Sequence, residues 1–146
     1  MIVSTKGKNA VKLMLDLAQH NDGEPVPLKD AAARYGISLK YLEQTAAAMN
    51  KAGLIQSVKG NQGGYLLRYA PERYTMKDIL TAAEGSISPT DCVGERAKCC
   101  PNSRSCITFR LWTRLDDAIS KTLEDITLAD LLDWQEEMVI AGEYSI

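Results

Sequence analysis

Apolar spacing in the first third of the chain predicts three helices. The first has its helical period in Ala10, Val11, Leu13, Met14, Leu17 and Ala18. The segment LKDAAARYG predicts a second helix of about two turns, with Asp30 in its first turn and Gly36 at its end. The segment ISLKYLEQTAAAMNKAG predicts a third helix, with Ser38 as N-cap and Gly53 as C-cap. The last two, joined by a turn that contains glycine, indicate a helix-turn-helix.

Beyond the third helix, the pattern predicts a hairpin and then three more helices. LIQSV and GYLLRY are short apolar and aromatic segments separated by KGNQG, which is typical of a β-hairpin, or wing. A fourth helix follows, with Thr75 and Asp78 in capping-box positions and Gly85 at its end. The last helix starts with Thr127 and Asp130 in the same arrangement. We therefore expect a mostly α fold with a small β-hairpin wing.

The long helix between these two, CITFRLWTRLDDAISKTLED, carries an apolar stripe. Its members recur at three- and four-residue steps: Phe109, Trp112, Leu115, Ile119 and Leu123. Such a stripe suits a helix that packs against a partner chain. It suits packing within one chain equally well.

Charge divides the chain of 146 residues into two unlike halves. Residues 1–77 contain eleven Lys and Arg against six Asp and Glu, and residues 78–146 contain six against thirteen. A basic half predicts contact with a polyanion. No apolar run is long enough to span a membrane, and the first residues lack the apolar block of a signal peptide. We therefore expect a cytoplasmic protein with no membrane partner.

The start of the third helix has the residue types that read DNA. A recognition helix places short polar and cationic side chains at its N-terminal end, which enters the major groove. The candidates are Ser38, Lys40, Tyr41, Glu43 and Gln44. Lys40 and Tyr41 suit phosphates, Gln44 can pair with adenine and Glu43 can accept from cytosine. The alternative is that these residues form an ordinary solvated helix face.

The tip of the hairpin offers a second candidate contact with DNA. It consists of Lys59, Gly60, Asn61, Gln62 and Gly63. Glycines let the backbone approach a phosphate or a minor groove closely. A plain glycine turn remains the alternative.

All four cysteines lie in CVGERAKCCPNSRSC, residues 92–106. Thiols stay reduced in the cytosol, so metal binding or redox chemistry is favoured over a disulfide framework. The gaps, C-x6-C, C-C and C-x5-C, are a poor match to the paired ligands of structural zinc sites. Thiolates are also the usual ligands of iron-sulfur clusters. The residues themselves leave a cluster and a reactive thiol loop open.

Two other classes of function have less support. A cysteine nucleophile needs a nearby base, but His20 is the only histidine and lies far away in the sequence; no phosphate-binding or dinucleotide motif occurs. We therefore expect no enzymatic activity. An adaptor that binds a protein partner through the acidic half remains an alternative.

STKGK, ISLKYLEQ, KAGLIQSVKGNQGGY and LW…AI…L…ITLADL together resemble the Rrf2 family of winged-helix transcription regulators, in order and through nearly the whole chain. The resemblance implies a winged helix-turn-helix with a long dimerisation helix. It implies a homodimer on an inverted-repeat operator in double-stranded DNA, with the third helix in the major groove and the wing near the minor groove. Residues 1–77 would form the DNA-binding domain. Residues 78–146 would hold the cysteine loop at 86–105, the dimerisation helix at about 105–125 and a C-terminal helix.

Sensor members of the family bind an iron-sulfur cluster through three cysteines in this loop. By that resemblance the ligands are Cys92, Cys100 and Cys106, with a 2Fe-2S cluster preferred over 4Fe-4S. A histidine that completes the set in one member is replaced here by Phe109. The fourth ligand is open among Cys99, a carboxylate such as Asp91 or Glu95, and water. Another member has no cluster loop, so a cluster-free, thiol-switched repressor of cysteine or sulfur metabolism is the alternative.

Overall fold

The computed structural model describes residues 3–95, 97, 101–102 and 104–142. This part of the chain contains α1 (Thr5–Gln19), α2 (Leu28–Tyr35), α3 (Leu39–Lys51), α4 (Met76–Glu84), α5 (Ile107–Asp125) and α6 (Leu128–Ile140). Strands β1 (Ile55–Val58) and β2 (Gly64–Leu67) and a 3₁₀ turn at Pro71–Arg73 lie between α3 and α4. The expected fold class, mostly α with one hairpin, is confirmed. None of the helices in the described ranges combines the length and apolar character that a membrane crossing needs.

The starts of α4 and α6 follow the capping chemistry that the sequence predicts. Thr75 and Asp78 form both bonds of a capping box at α4, and Thr127 and Asp130 do the same at α6. These reciprocal bonds satisfy backbone N–H groups that a helix start leaves unpaired. At the C-terminal end of α3, Ala52 is the C-cap, and Gly53, with φ 75°, is the residue after it. The expected cap is therefore displaced by one residue.

Helix α1 is the centre of the packing and contacts α2, α3, α4 and α6. The largest fully buried apolar side chains of this core include Leu13, Met14, Leu42, Ile79 and Leu128. Ile79 belongs to α4 and Leu128 to α6, so the buried core extends beyond residue 77. The division of the chain at that residue stays a prediction about DNA binding and sensing, and the two parts share one core.

An ion pair between buried Asp16 and exposed Arg34 fixes α2 against α1. Asp16 is fully buried, and its carboxylate accepts two bonds from the Arg34 guanidinium, from Nε at 2.8 Å and from Nη2 at 2.7 Å. The hydrogen bond to Asp16 raises the pKa of Arg34 above its usual range. This bidentate contact positions the first helix of the helix-turn-helix.

Tyr74 ties the hairpin to the helical body. Its side chain is 1% exposed, and its hydroxyl donates to the carbonyl of Leu54 at 2.6 Å. The same hydroxyl accepts from the backbone N–H groups of Arg68 and Tyr69, each at 3.0 Å. Burial raises the pKa of Tyr74. One side chain therefore holds the residue before β1 and the two residues after β2.

The hairpin is antiparallel, with Ile55 opposite Leu67 and Val58 opposite Gly64. The segment before α2 adds a short third pairing, between Val26 and Tyr65. Gly64 allows this approach, because a Cβ there would overlap the backbone carbonyl of Val26. The alternation of apolar and polar residues does not predict this third pairing.

Helix α5 has apolar residues on two faces. Phe109, Trp112, Ile119 and Leu123, four members of the expected stripe, are half-buried within one chain, and a Lys77–Glu124 ion pair of 2.7 Å also joins α4 to α5. The other apolar face consists of Ile107, Leu111, Leu115 and Ala118, all of them exposed. The expected stripe thus packs mainly inside the chain, and a second stripe is left uncovered.

Candidate DNA interface and cysteine loop

Helix α3 divides into a buried face and an exposed face. The buried face consists of Leu42, Thr45, Ala46 and Met49. All five expected DNA-contacting residues are exposed: Ser38, Lys40, Tyr41, Glu43 and Gln44. The structure therefore brings these five together at one end of a helix whose opposite face is fixed in the core.

Two details at the start of α3 go beyond the sequence analysis. Ser38 occupies the N-cap position, but its side chain makes no capping hydrogen bond. Leu39, which was not among the expected contacts, is 43% exposed beside Tyr41, which is 61% exposed. The sequence could have indicated Leu39 as an apolar residue that lies one helical step, three residues, before Leu42 at the start of the buried stripe.

The tip of the wing is open to solvent. Lys59, Gly60, Asn61 and Gln62 are exposed, and Gly63 is half-buried. The backbone N–H of Gly63 donates to the carbonyl of Gly60 at 3.0 Å, and Gly60 has φ 116°. A side chain at Gly63 would overlap the carbonyl of Val58. The turn itself thus requires glycine, and it leaves Lys59 free to reach outward.

Glu84, at the end of α4, caps the start of α1. Its Oε1 accepts from the backbone N–H of Ser4 at 2.9 Å, the hydroxyl of Ser4 at 2.6 Å and the backbone N–H of Gly7 at 2.9 Å. A Cβ on Gly7 would come within 2.5 Å of that oxygen. The hydrogen bond from the Ser4 hydroxyl is the main cause that lowers the pKa of Glu84. The helix that leads into the cysteine loop is therefore bonded to the start of α1.

The first part of the cysteine loop is attached to the body. Ile87 and Val93 are each 7% exposed. Gly94, with φ 93°, lies so close to Ser88 that a Cβ would overlap the serine side chain. Cys92, next to buried Val93, is exposed, and its backbone N–H donates to the Thr90 hydroxyl at 3.2 Å. The body therefore fixes the chain beside the Cys92 thiol and leaves the thiol accessible.

Cys106 occupies the N-cap position of α5 and is exposed. Its Sγ lies 3.0 Å from the hydroxyl of Thr108. This contact lowers the pKa of the Cys106 thiol, and the backbone N–H of Phe109 acts in the same direction. A lower pKa increases the fraction of the thiolate, which is the form that binds metals.

The remaining candidate ligands, and the positions of Phe109 and His20, lie in different places. Cys99 and Cys100 are outside the described residues. Asp91 and Glu95 are exposed in the loop, and Phe109 is half-buried on α5. His20 is at the end of α1, where its Nδ1 lies 2.8 Å from the Asp16 carbonyl oxygen, so it is a capping residue.

The donors present fit a thiolate-bound group in part. Cys92 and Cys106 are both free thiols and both accessible. Among the described residues, no three His, Cys, Asp or Glu side chains form a metal-binding group. A third thiolate would come from the part of the loop outside the described residues, so the fit rests on the chemistry of these two cysteines.

Comparison with known proteins identifies similar regulators. Residues 3–134 match the Rrf2 family, whose description is "Iron-dependent Transcriptional regulator". The chain is 43% identical over 141 residues to the HTH-type transcriptional regulator IscR of Erwinia tasmaniensis. The aligned region covers 97% of this chain and 84% of the relative. The structure of T. potens IscR has a TM-score of 0.75 and 36% identity, covering 100% of this chain and 93% of that one. CymR, the global cysteine regulator of B. subtilis, has a TM-score of 0.74 and 36% identity, covering 92% and 98%.

Proposed function

The chain belongs to the Rrf2 family of iron-dependent transcriptional regulators, and we propose that it acts as a homodimer whose cysteine loop carries an iron-sulfur cluster. It is a DNA-binding transcription regulator. The proposal concerns how it contacts DNA, what holds the two copies together and what the cysteines bind. We also infer that it acts in the cytoplasm, where thiols stay reduced.

Helix α3 would enter the major groove of an inverted-repeat operator, and the wing would lie near the minor groove. In this arrangement Gln44 and Glu43 read base edges, while Ser38, Lys40 and Tyr41 hold the flanking phosphates. Lys59 and the backbone of 60–63 contact the second groove. The exposure of all these side chains supports this arrangement.

The second copy would cover the exposed stripe of α5. Ile107 is 88% exposed, Leu111 55% and Leu115 41%, on a helix that has no fully buried residue. Burial of such a stripe against its equivalent in a second chain removes apolar surface from water. Two α3 helices held in this way would meet half-sites about 34 Å apart.

Cys92, Cys100 and Cys106 would hold the cluster, and 2Fe-2S is preferred over 4Fe-4S. When bound, such a cluster supplies redox-sensitive iron–thiolate chemistry. Val93 and Gly94 fix the chain on one side of the ligand set, and Cys106 fixes the other side at the first turn of α5. The proposal rests on that one observation: a proposed ligand is the N-cap of the proposed dimer helix, so a change in the loop acts on the dimer directly.

The colour and iron content of protein purified without oxygen test the cluster. We expect visible charge-transfer absorbance and iron in the wild type, and loss of both in Cys92→Ser, Cys100→Ser and Cys106→Ser. Cys99→Ser tests whether Cys99 is the fourth ligand. Ser105→Ala, at an exposed position of the loop outside the candidate ligands, is the control and should keep its iron. A colourless wild type that takes up no iron on reconstitution would exclude the cluster and leave DNA binding untouched.

A second candidate is a cluster-free repressor switched by thiol oxidation. It is favoured by the accessibility of free Cys92 and Cys106 and by similarity to the B. subtilis cysteine regulator CymR. In that case, iron-free protein would lose or gain DNA affinity on oxidation and recover on reduction. The acidic half would then offer a surface for a protein partner, which pull-down from lysate with the reduced protein can detect.

A further inference from the structure

An open cleft of about 630 Å³ lies where α1, α3 and α4 meet. Its walls are Thr5, Lys6 and Asn9 from α1, Tyr41, Gln44, Thr45, Ala48 and Met49 from α3, and Ala83 from α4. Volume in this range and a mainly apolar lining with a few polar groups are typical of small-molecule sites. None of the described residues of the cysteine loop lines the cleft.

Asn9 is the observation that points to a ligand. It is 7% exposed and lines the cleft, and no described residue bonds its side-chain amide. Because no fully buried side-chain nitrogen or oxygen of the described residues lacks a partner, this amide is open to the solvent of the cleft. Polar groups with so little access to water are almost always hydrogen-bonded. An amide that faces a cleft without a protein partner is therefore available to a bound molecule.

The charge of the cleft selects the class of molecule. Among the lining residues named above, Lys6 is the one cation and none carries a carboxylate; the Glu84 carboxylate, next to Ala83, interacts with Lys6 from outside the lining. Ala48, Met49 and Ala83 provide an apolar wall. A ligand that satisfies all three features has a carboxylate for Lys6, a hydrogen-bonding group for Asn9 and an apolar body.

We propose that this cleft binds a small organic acid and that binding opposes DNA binding. Gln44 and Tyr41 line the cleft and also belong to the expected DNA-contacting surface. A molecule held against them changes the side chains that would face the base edges. This second part rests on the proposed docking of α3, whereas the binding of an acid does not.

Titration of the full-length protein with straight-chain carboxylates from butyrate to octanoate, followed by calorimetry or NMR, tests the site. We expect affinity to rise about fourfold for each added methylene until the cleft is full. The alcohol of the same length should bind more weakly. Lys6→Gln should reduce that difference, by up to about fivefold.

Two substitutions on opposite walls fill the cleft. Asn9→Leu and Ala48→Leu should each weaken octanoate binding by at least tenfold, and circular dichroism checks that both variants are folded. Val139→Gln is the matched control, because Val139 is an exposed apolar residue of α6 outside the lining. Equal affinity in all four proteins, or equal affinity for acid and alcohol, would overturn the site.

DNA selected from a random pool by the wild type tests the second part. Saturating octanoate should lower wild-type affinity for that DNA and leave the affinity of Asn9→Leu unchanged. If octanoate binds without any effect on DNA affinity, the competition is wrong. If Asn9→Leu abolishes DNA binding in the absence of any acid, the cleft serves DNA contact and the proposal is overturned. If selection enriches no DNA, the proposed docking fails, while the titration still decides whether the cleft binds an acid.

Discussion

At the scale of single residues, substitutions of Gln44 and Lys40 should weaken DNA binding in different ways. Both are exposed at the start of α3, but an amide that pairs with a base edge carries sequence information, whereas a lysine on a phosphate does not. We expect Gln44→Ala to weaken operator binding by about 1–3 kcal/mol with little effect on unrelated DNA. Gel shifts on both DNAs would measure this.

Lys40→Ala and Lys59→Ala should weaken binding to every sequence, with a salt slope smaller by about one. Lys121→Ala is the matched control, because Lys121 pairs with Asp125 on exposed α5. If Lys40→Ala and the control have equal affinity at several salt concentrations, the docking of α3 is wrong.

Glu84 should make stability depend on pH. Its pKa is lowered in the folded protein, so its charged form stabilises the fold above the unfolded value of about 4.3. That contribution disappears as pH falls through the lower folded pKa. The free energy of unfolding should therefore fall more steeply with acid in the wild type than in Glu84→Gln.

The pH dependence of the free energy of unfolding, measured for Ser4→Ala, separates the contribution of the Ser4–Glu84 bond from that of the other carboxylates. Ser4 supplies the hydroxyl and one N–H of the contact, and the hydroxyl is the group that the substitution removes. In the double variant the two effects should not add. Additive effects, or parallel pH profiles for wild type and Glu84→Gln, would contradict the assigned role.

Residue chemistry predicts the contacts between near neighbours in sequence and misses those between distant ones. The Thr75–Asp78 and Thr127–Asp130 boxes follow from spacing alone and are confirmed. The bond from Ser4 to Glu84 joins residues 80 positions apart, and only the tertiary fold brings them together. Asn9 was missed for the same reason, because three helices form its environment.

At the scale of elements, the exposed stripe of α5 should control assembly. We expect Leu111→Gln to convert the proposed dimer to a monomer or weaken it strongly, since Leu111 is 55% exposed in one chain and its side chain contributes little to the monomer core. Analytical ultracentrifugation measures the change. Val139→Gln, which removes an apolar side chain with 44% exposure on α6, should leave assembly unchanged. A dimer of unaltered affinity in Leu111→Gln would place the interface elsewhere.

Periodicity predicted the existence and length of α5 but not which face would be buried. Apolar residues occur on two sides of this helix, with Phe109 and Trp112 on one and Ile107 and Leu111 on the other. Both sides satisfy the helical period, so the spacing cannot decide which one meets α4. The choice depends on what the rest of the chain offers as a packing surface.

At the scale of the whole molecule, a substitution of Leu128 should show that residues 1–77 and residues 78–146 unfold together. It is fully buried in the core that α1 and α4 share. We expect Leu128→Ala to lower the free energy of unfolding by about 2–5 kcal/mol. Circular dichroism and tryptophan fluorescence should follow one common transition.

Ile140→Ala, at a position 80% exposed on the same helix, should change stability by less than about 0.5 kcal/mol. Two separate transitions in the wild type would contradict the single core. The charge split between residues 1–77 and 78–146 indicated where different partners would bind. It did not indicate a folding boundary, because net charge acts at the surface and the boundary depends on buried apolar contacts.

The three bonds to the hydroxyl of Tyr74 limit how this regulator can respond to a signal. They hold the wing at a fixed angle to the body that also carries α3. In the proposed dimer, a change at the cysteine loop would then alter DNA binding through the distance between the two copies of the chain. Operators with the same half-sites but spacers longer or shorter by one base pair should therefore differ most in how strongly they respond to the state of the cysteines.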